Sequence, residues 1–316
     1  LLEYVNQYGS TLDQTQFVDE GWSLAGSSIQ SLLIKLKENS VPMERYVNGK
    51  IYYGIKTGLN AAFVIDRATR DRLIASDPKS IDLIKPFLIG KDIKRYQPPY
   101  EKRYLILIPK GWTKSKSNKN GSAWKWFEKN YPAIANHLLP FAQAAEKRYD
   151  KGDYWWELRA CDYYAEFEKP KIIYPNICKK PEFSLDMSNN FSNQKAFIIP
   201  ITDYALLGIL NSKLMMFFFA TTIPKLRGDF YEPGFVFMKD FPVHRIDFTN
   251  PTDVARHDRM VALVQRMLEL HRQTPATPFE QERLARDISA TDAEIDRLVY
   301  ELYELTPEEV KIVEGN

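Results

Sequence analysis

Two apolar runs separated by a Lys-Thr-Gly-Leu-Asn turn, in Gly54-Ile55-Lys56-Thr57-Gly58-Leu59-Asn60-Ala61-Ala62-Phe63-Val64-Ile65-Asp66, constrain this chain more than any other stretch. The pattern predicts strand, tight turn, strand, with Gly58 supplying a positive φ that a Cβ would resist. Such a turn presents Lys56, Thr57 and Asn60 outward. Just upstream, Tyr46-Val47-Asn48-Gly49-Lys50-Ile51 carries an Asn-Gly pair, and a two-residue type I′ hairpin needs positive φ at both central positions. Two hairpins in succession are therefore expected.

A chain of 316 residues with 44% hydrophobic content can bury a core large enough for one large domain or two small ones. It opens at Leu1 without Met, basic n-region or apolar h-region, so it is expected to be cut from a longer polypeptide. Cys161 and Cys178 have no Cys or His near enough to complete a four-ligand zinc pattern, and they read as buried free thiols in a reducing cytoplasm. The most apolar window, Tyr204 to Thr221, is interrupted by Asn211, Ser212 and Lys213. A membrane span would bury those groups at high cost, so a core helix is predicted and no membrane partner.

Net charge is only +2, but its distribution is informative. From Pro251 onward 8 Lys and Arg face 14 Asp and Glu, whereas Lys85 to Lys129 holds 12 basic residues against 3 acidic. A basic cluster of that kind neutralises phosphates and steers association. A merely solvated basic surface is the alternative on charge alone.

Along the chain, the first twenty-odd residues read as a linker. Ile29, Leu32, Leu33 and Leu36 give one apolar helix face, and Asp66 and Asp77 are N-caps for Arg67 to Ala75 and for a turn opened by Pro78, after which Ile81 and Ile84 face one side. Arg103 to Ile108 is a strand buried on both faces, and Lys110 to Gly121 a mobile lysine-rich loop. A helical region from Trp124 to Tyr149 and the Tyr154-Trp155-Trp156 cluster follow; these aromatics could stack a base but more simply fill a core. Lys171 to Tyr174 and Ala196 to Ile199 are strands around a hairpin turning at Ser188-Asn189-Asn190, and Thr202 or Asp203 caps a helix through Phe219. Arg227-Gly228-Asp229 lies in a loop where a guanidinium could reach a phosphate or a base edge. Two amphipathic helices near the end form an antiparallel pair, with capping boxes at Thr291-x-x-Glu294 and Thr306-x-x-Glu309.

Gly54 to Asp66, then Ile84-Lys85-Pro86-Phe87-Leu88-Ile89-Gly90-Lys91-Asp92-Ile93-Lys94-Arg95-Tyr96, Leu210-Asn211-Ser212-Lys213-Leu214, Leu226-Arg227-Gly228 and the tail Thr291 to Tyr303 together resemble the TaqI-like C-terminal specificity domain. That domain is the target-recognition half of adenine-N6 DNA methyltransferases, including fused type IIG restriction enzymes and related phage-defence methylases. The resemblance implies an α+β fold, with a twisted β-rich recognition body like a double β-helix and a C-terminal helical hairpin. It implies residues 1–40 as a linker and connecting helix, 41–250 as the recognition domain and 251–316 as the helical packing unit. The implied partners are double-stranded DNA and an N-terminal methyltransferase domain of the same polypeptide, whose cofactor is S-adenosylmethionine, with Mg²⁺ only where a nuclease domain is attached.

Lys91, Lys94, Arg95, Arg103, Lys110, Lys114, Lys116 and Lys119 are the expected phosphate contacts, which position without specifying. Lys56, Thr57, Asn60 and Arg227, on turns, are the candidates for base edges. No catalytic, cofactor or metal residue is expected in this piece. Gln97-Pro98-Pro99-Tyr100 imitates the family's Asn-Pro-Pro-Tyr tetrapeptide but lies inside the specificity match, and His137, His244, His257 and His271 have no nucleophile beside them in the sequence. The rival function is a protein-interaction module docking a partner subunit of a defence complex; a weaker third is an independent hydrolase.

Overall fold

The computed structural model describes residues 27–38, 40–117 and 122–315. The N-terminal linker stretch lies outside the described residues.

Among the described residues ten strands organise the body: β1 Ser40–Pro42, β2 Tyr52–Tyr53, β3 Val64–Asp66, β4 Ile84–Leu88, β5 Arg103–Ile106, β6 Lys171–Pro175, β7 Ser184–Asp186, β8 Phe191–Ser192, β9 Ala196–Ile199 and β10 Pro242–His244. The longer helices are α1 Ser27–Glu38, α2 Arg67–Ser76, α3 Trp112–Lys116, α4 Ala123–Asn130, α5 Pro132–Leu138, α6 Tyr204–Leu210, α7 Lys213–Thr222, α8 Pro251–Leu270, α9 Pro278–Leu302 and α10 Pro307–Glu314. One four-stranded sheet has the order β2-β9-β6-β7, the other β3-β5-β4-β8, and β1 pairs with β10. All pairs are antiparallel except β4 with β8. The expected α+β class is present, with an antiparallel α8–α9 pair after the sheets.

The central strands β6 and β9 are apolar on both faces because each face meets a different core. Ile172, Tyr174, Phe197 and Ile199 pack with the helices α6 to α9, while Ile173, Ala196 and Ile198 pack with Phe87, Leu105 and the second sheet. That alternation is the period-two pleat of a strand. The aromatic run fills the second core: Trp156 is 4% exposed and stacks on Tyr154 and Phe127.

The body's two ends lie together. β1 and β10 pair, the Tyr303 hydroxyl donates to the Pro242 carbonyl (2.8 Å), and Lys35 of α1 reaches Glu309 of α10 (2.6 Å). The helical-side core runs from Leu32 to Val313 without a break at residue 250.

Several local expectations are corrected. Asn48 and Gly49 do adopt positive φ (52° and 72°), but they terminate a helical turn, Met43–Tyr46, with the Gly49 N–H donating to the Glu44 carbonyl; they join no hairpin. The Gly54–Asp66 segment is a bridge at Ile55, a bend at Gly58 (φ 67°) and a helical turn, Asn60–Phe63, before β3. Ile81 is 55% exposed whereas Ile84 is buried, because a 3-10 turn gives way to a strand between them. Residues 188–190 join strands of different sheets, since β7 pairs with β6 and β8 with β4. The helix from residue 204 breaks at Asn211, whose side chain exchanges two hydrogen bonds with the Phe183 backbone, and Ser212 caps a second helix. Thr291 caps nothing: no Gly or Pro interrupts α9, its hydroxyl donates to the Asp287 carbonyl, and the capping box lies at Thr277 and Glu280, with Pro278 at the first helical position. The box at Thr306 and Glu309 forms as expected.

Gly54 and Gly90 have a steric role. A Cβ on Gly54 would lie 1.9 Å from the Asn193 carbonyl oxygen, and one on Gly90 2.2 Å from that of Lys195. Both segments press against the 192–195 backbone, which cannot retreat because it is bonded on to Leu88 and Asn176. Gly90→Ala is expected to lower stability by about 1–3 kcal/mol, the usual cost of overpacking, measured as a lower urea midpoint at unchanged slope.

Candidate nucleic-acid interface

The 192–195 backbone, against which the Gly54 and Gly90 segments close, is the ridge that carries Lys195. On one side of it a cleft of about 610 Å³ is lined by Lys91, Lys94, Lys179, Lys180 and Lys195, with Glu182 as its single acid. Lys94 pairs with Glu182 (3.2 Å), which leaves four lysines without a carboxylate among the cleft's own lining. A low-dielectric wall focuses such a field. The wall here is Cys178 and Phe230, and Lys179 sits over the Phe230 ring, 5.0 Å from its centroid.

A short hairpin rises from the same wall. The Leu226 N–H donates to the Phe230 carbonyl (2.7 Å), Gly228 and Asp229 take positive φ (82° and 61°), and Cys178 and Tyr231 exchange backbone hydrogen bonds. Two successive left-handed residues form the tip and leave Arg227 exposed.

On the other side of the ridge the 56–60 turn is anchored from beneath. The Arg148 guanidinium, 8% exposed, donates to the carbonyls of Thr57, Trp155 and Glu157 and lies 4.4 Å above Phe63; burial lowers its pKa to about 10. Thr57 is consequently 2% exposed, and its hydroxyl donates to Asn60 Oδ1 (2.6 Å). The expectation that Thr57 faces outward is corrected: its carbonyl is the seat for Arg148. Lys56 and Asn60 are exposed, and Lys56 pairs with Asp150 (3.1 Å).

The lysine-rich segment after Pro109 is a helical turn, α3, where a mobile loop was expected, and a buried carboxylate explains the difference. Glu157 is fully buried and accepts from the backbone N–H groups of Gly111, Thr113 and Asp153, capping α3 from outside. Lys110 and Lys114 share Asp153 at 3.8 and 3.3 Å, and Lys116 is exposed; Lys119 lies outside the described residues. Exposed pairs of this kind contribute at most about 1 kcal/mol, so these ammonium groups can turn to a phosphate at little cost.

Two expected phosphate contacts are engaged internally. Arg103 pairs with Asp92 (2.8 Å), which also accepts from the Ile89 N–H. Arg95 is held more tightly still: its guanidinium is clamped by both oxygens of Asp292 on α9 and by the Asn211 carbonyl, and it covers the Tyr96 ring at 4.8 Å. It fastens the body to the helical pair. Arg95→Ala is expected to cost about 1.5–3 kcal/mol, the range for hydrogen bonds to charged groups, while the salt dependence of DNA binding stays unchanged; a flattened salt dependence would return Arg95 to the phosphate set.

Beside that clamp, Asp296 is 6% exposed and accepts from the Lys213 N–H at the start of α7 (2.8 Å). Burial pushes its pKa up to about 6, with neighbouring Asp292 adding to the rise. A folded-state pKa above the unfolded value means stability present at low pH is lost as pH climbs through 6. Asp296→Asn keeps the acceptor and drops the charge, so above pH 7 it is expected to stabilise by about 2–3 kcal/mol, with no gain at pH 4, read by urea unfolding at both.

Sequence reasoning missed Lys179, Lys180 and Lys195. The Lys179-Lys180-Pro181 run was a visible signal, but Lys195 carries none, because only the fold sets it beside Gly90. Among the described residues no group of three His, Cys, Asp or Glu could hold a metal ion. No single described helix is long and apolar enough to cross a membrane; α6 and α7 pass together only as a pair bent by 53°.

The TaqI-like C-terminal specificity domain family matches residues 85–243. The chain belongs to that family. It is similar in fold to the type IIL restriction-modification enzyme MmeI, solved in complex with DNA, at a TM-score of 0.62 and 11% identity over 87% of this chain and 34% of that one. The type IIG restriction endonuclease BpuSI gives a TM-score of 0.42 at 10% identity, over 90% of this chain and 34% of that one. The chain thus spans about a third of the length of the solved enzymes it matches. No curated protein matches it.

Proposed function

We propose that this chain is the sequence-reading part of a site-specific adenine-N6 DNA methyltransferase or fused restriction-modification enzyme. It docks a DNA duplex against an N-terminal methyltransferase domain of the same polypeptide, which flips out the target adenine and methylates it with S-adenosylmethionine. The setting is a bacterial-type defence system in the cytoplasm, and Mg²⁺ enters only if a nuclease domain is attached. The observation that carries this reading is the lysine-lined cleft, with Arg227 exposed at the tip of the hairpin whose Phe230 lines it, in a member of the specificity-domain family.

Lys91, Lys94, Lys179, Lys180 and Lys195 hold the phosphates of one backbone segment, and Lys110, Lys114, Lys116 and Lys119 those of another. Arg227, Lys56 and Asn60 reach base edges. Fluorescence-anisotropy titration of random duplexes at several salt concentrations, followed by selection on the bound pool, tests the assignment. A steep loss of affinity with salt and an enriched motif are expected; weak, salt-insensitive binding with concentration-dependent assembly would instead favour a protein-interaction module.

A further inference from the structure

Behind the 54–56 segment lies a second, more enclosed cavity of about 240 Å³, distinct from the lysine cleft. Three tyrosines line it: Tyr53, which is 40% exposed, and the half-buried Tyr163 and Tyr164. The wall is preorganised, because Tyr163 stacks on Tyr52 (4.6 Å, 14° between planes) and the Tyr164 hydroxyl donates to the Arg159 carbonyl (3.0 Å). Lys56 and Arg159 line the cavity too and share one carboxylate, Asp150, at 3.1 and 3.4 Å, while Asp162 adds a second acid to the lining.

The charge balance decides what fits. Two cations and two carboxylates cancel, so the cavity offers no net attraction to a free anion such as phosphate. It offers instead flat π-surfaces with donors from Lys56 and Arg159 and an acceptor from Asp162. A planar, neutral ring carrying carbonyl, ring-nitrogen and amino groups satisfies all three, and nucleobases have that chemistry. The cavity lies at the 54–56 segment, whose Lys56 is one of the proposed DNA contacts.

We propose that this cavity receives one extrahelical nucleobase of the bound DNA, stacked among Tyr53, Tyr163 and Tyr164. The inference rests on the target-recognition reading and extends it: the chain takes a base out of the duplex as well as reading bases within it. An aromatic pocket lowers the free energy of the everted state, so DNA whose base is already unpaired binds more tightly.

Anisotropy titrations of this chain compare a fully paired duplex with the same duplex carrying one bulged 2-aminopurine nucleotide. The bulged duplex is expected to bind about tenfold more tightly, the size of one stacking contact, with 2-aminopurine emission quenched on binding. Tyr53→Leu, at an exposed position, should remove both effects and leave affinity for the paired duplex unchanged. Tyr163→Leu should do the same, and urea unfolding of each variant confirms that the fold persists. Equal affinity for both duplexes, or a preference that survives both substitutions, overturns the pocket while leaving target recognition intact. Failure of both duplexes to bind overturns the recognition reading and the pocket with it.

Discussion

Lys171→Met is expected to cost the fold about 3–5 kcal/mol, the range for breaking one side of a buried ion pair. Lys171 and Asp186 are both fully buried, 2.7 Å apart, in neighbouring strands β6 and β7. Burial lowers the ammonium pKa even with Asp186 beside it. The ammonium donates to the carbonyls of Phe167 and Lys169, and Asp186 accepts from the N–H groups of Ser188 and Asn190 and from the Asn190 side chain. Methionine matches the stem but strands the carboxylate with its three neutral donors. Asp186→Leu is expected to be worse than Lys171→Met, because it also frees the 188–190 turn that carries the chain from one sheet to the other. Urea unfolding of the two single variants and the double variant measures the coupling; additive losses would show that the turn bonds, not the ion pair, hold the β6–β7 edge. The consequence reaches the proposed interface, since the turn leads directly into the 192–195 ridge.

What the sequence made legible was local. Asp66, Asp77, Thr306 and the Asn48-Gly49 pair act through bonds or backbone angles within a few residues, so their conformations were readable even where the element they served was not. The departures at the proposed interface share a cause: a distant partner decides. Glu157 turns the lysine segment into a helix from 44 residues away, Arg148 buries Thr57 from 91 away, and Asp292 claims Arg95 from 197 away. The sequence pattern likewise identified β6 and β9 as strands, but could not say that the turn at 188–190 changes sheets, because strand partnership is a tertiary fact. The candidate interface follows the same rule. Its basic content was visible as composition, and which cations remain free was set by carboxylates remote in the chain.

Replacing Lys91, Lys94, Lys179 and Lys180 together by Gln is expected to weaken binding to every duplex on the order of 100- to 1000-fold at low salt, and to flatten the plot of log affinity against log salt by about 3–4. Each lysine that meets a phosphate releases about 0.9 of a counterion, so four contacts set the slope change. The side chains line one cleft and none lies on a strand of either sheet, so the substitution removes charge without disturbing the cores. The sequence motif enriched from a random pool should stay the same, because phosphate contacts position the duplex and carry no base information. Arg227→Ala is the complementary case. A guanidinium on a base edge is worth about 1–3 kcal/mol of discrimination, so this variant should relax preference at one base pair and change the salt slope by no more than about 1. If the quadruple variant altered the motif and Arg227→Ala altered only the slope, the two roles would be exchanged, and the tip at 226–230 would be a backbone clamp instead of a reader. If neither changed the slope, the cleft would lie off the DNA, and the Lys110–Lys116 segment would be the next described basic stretch to test.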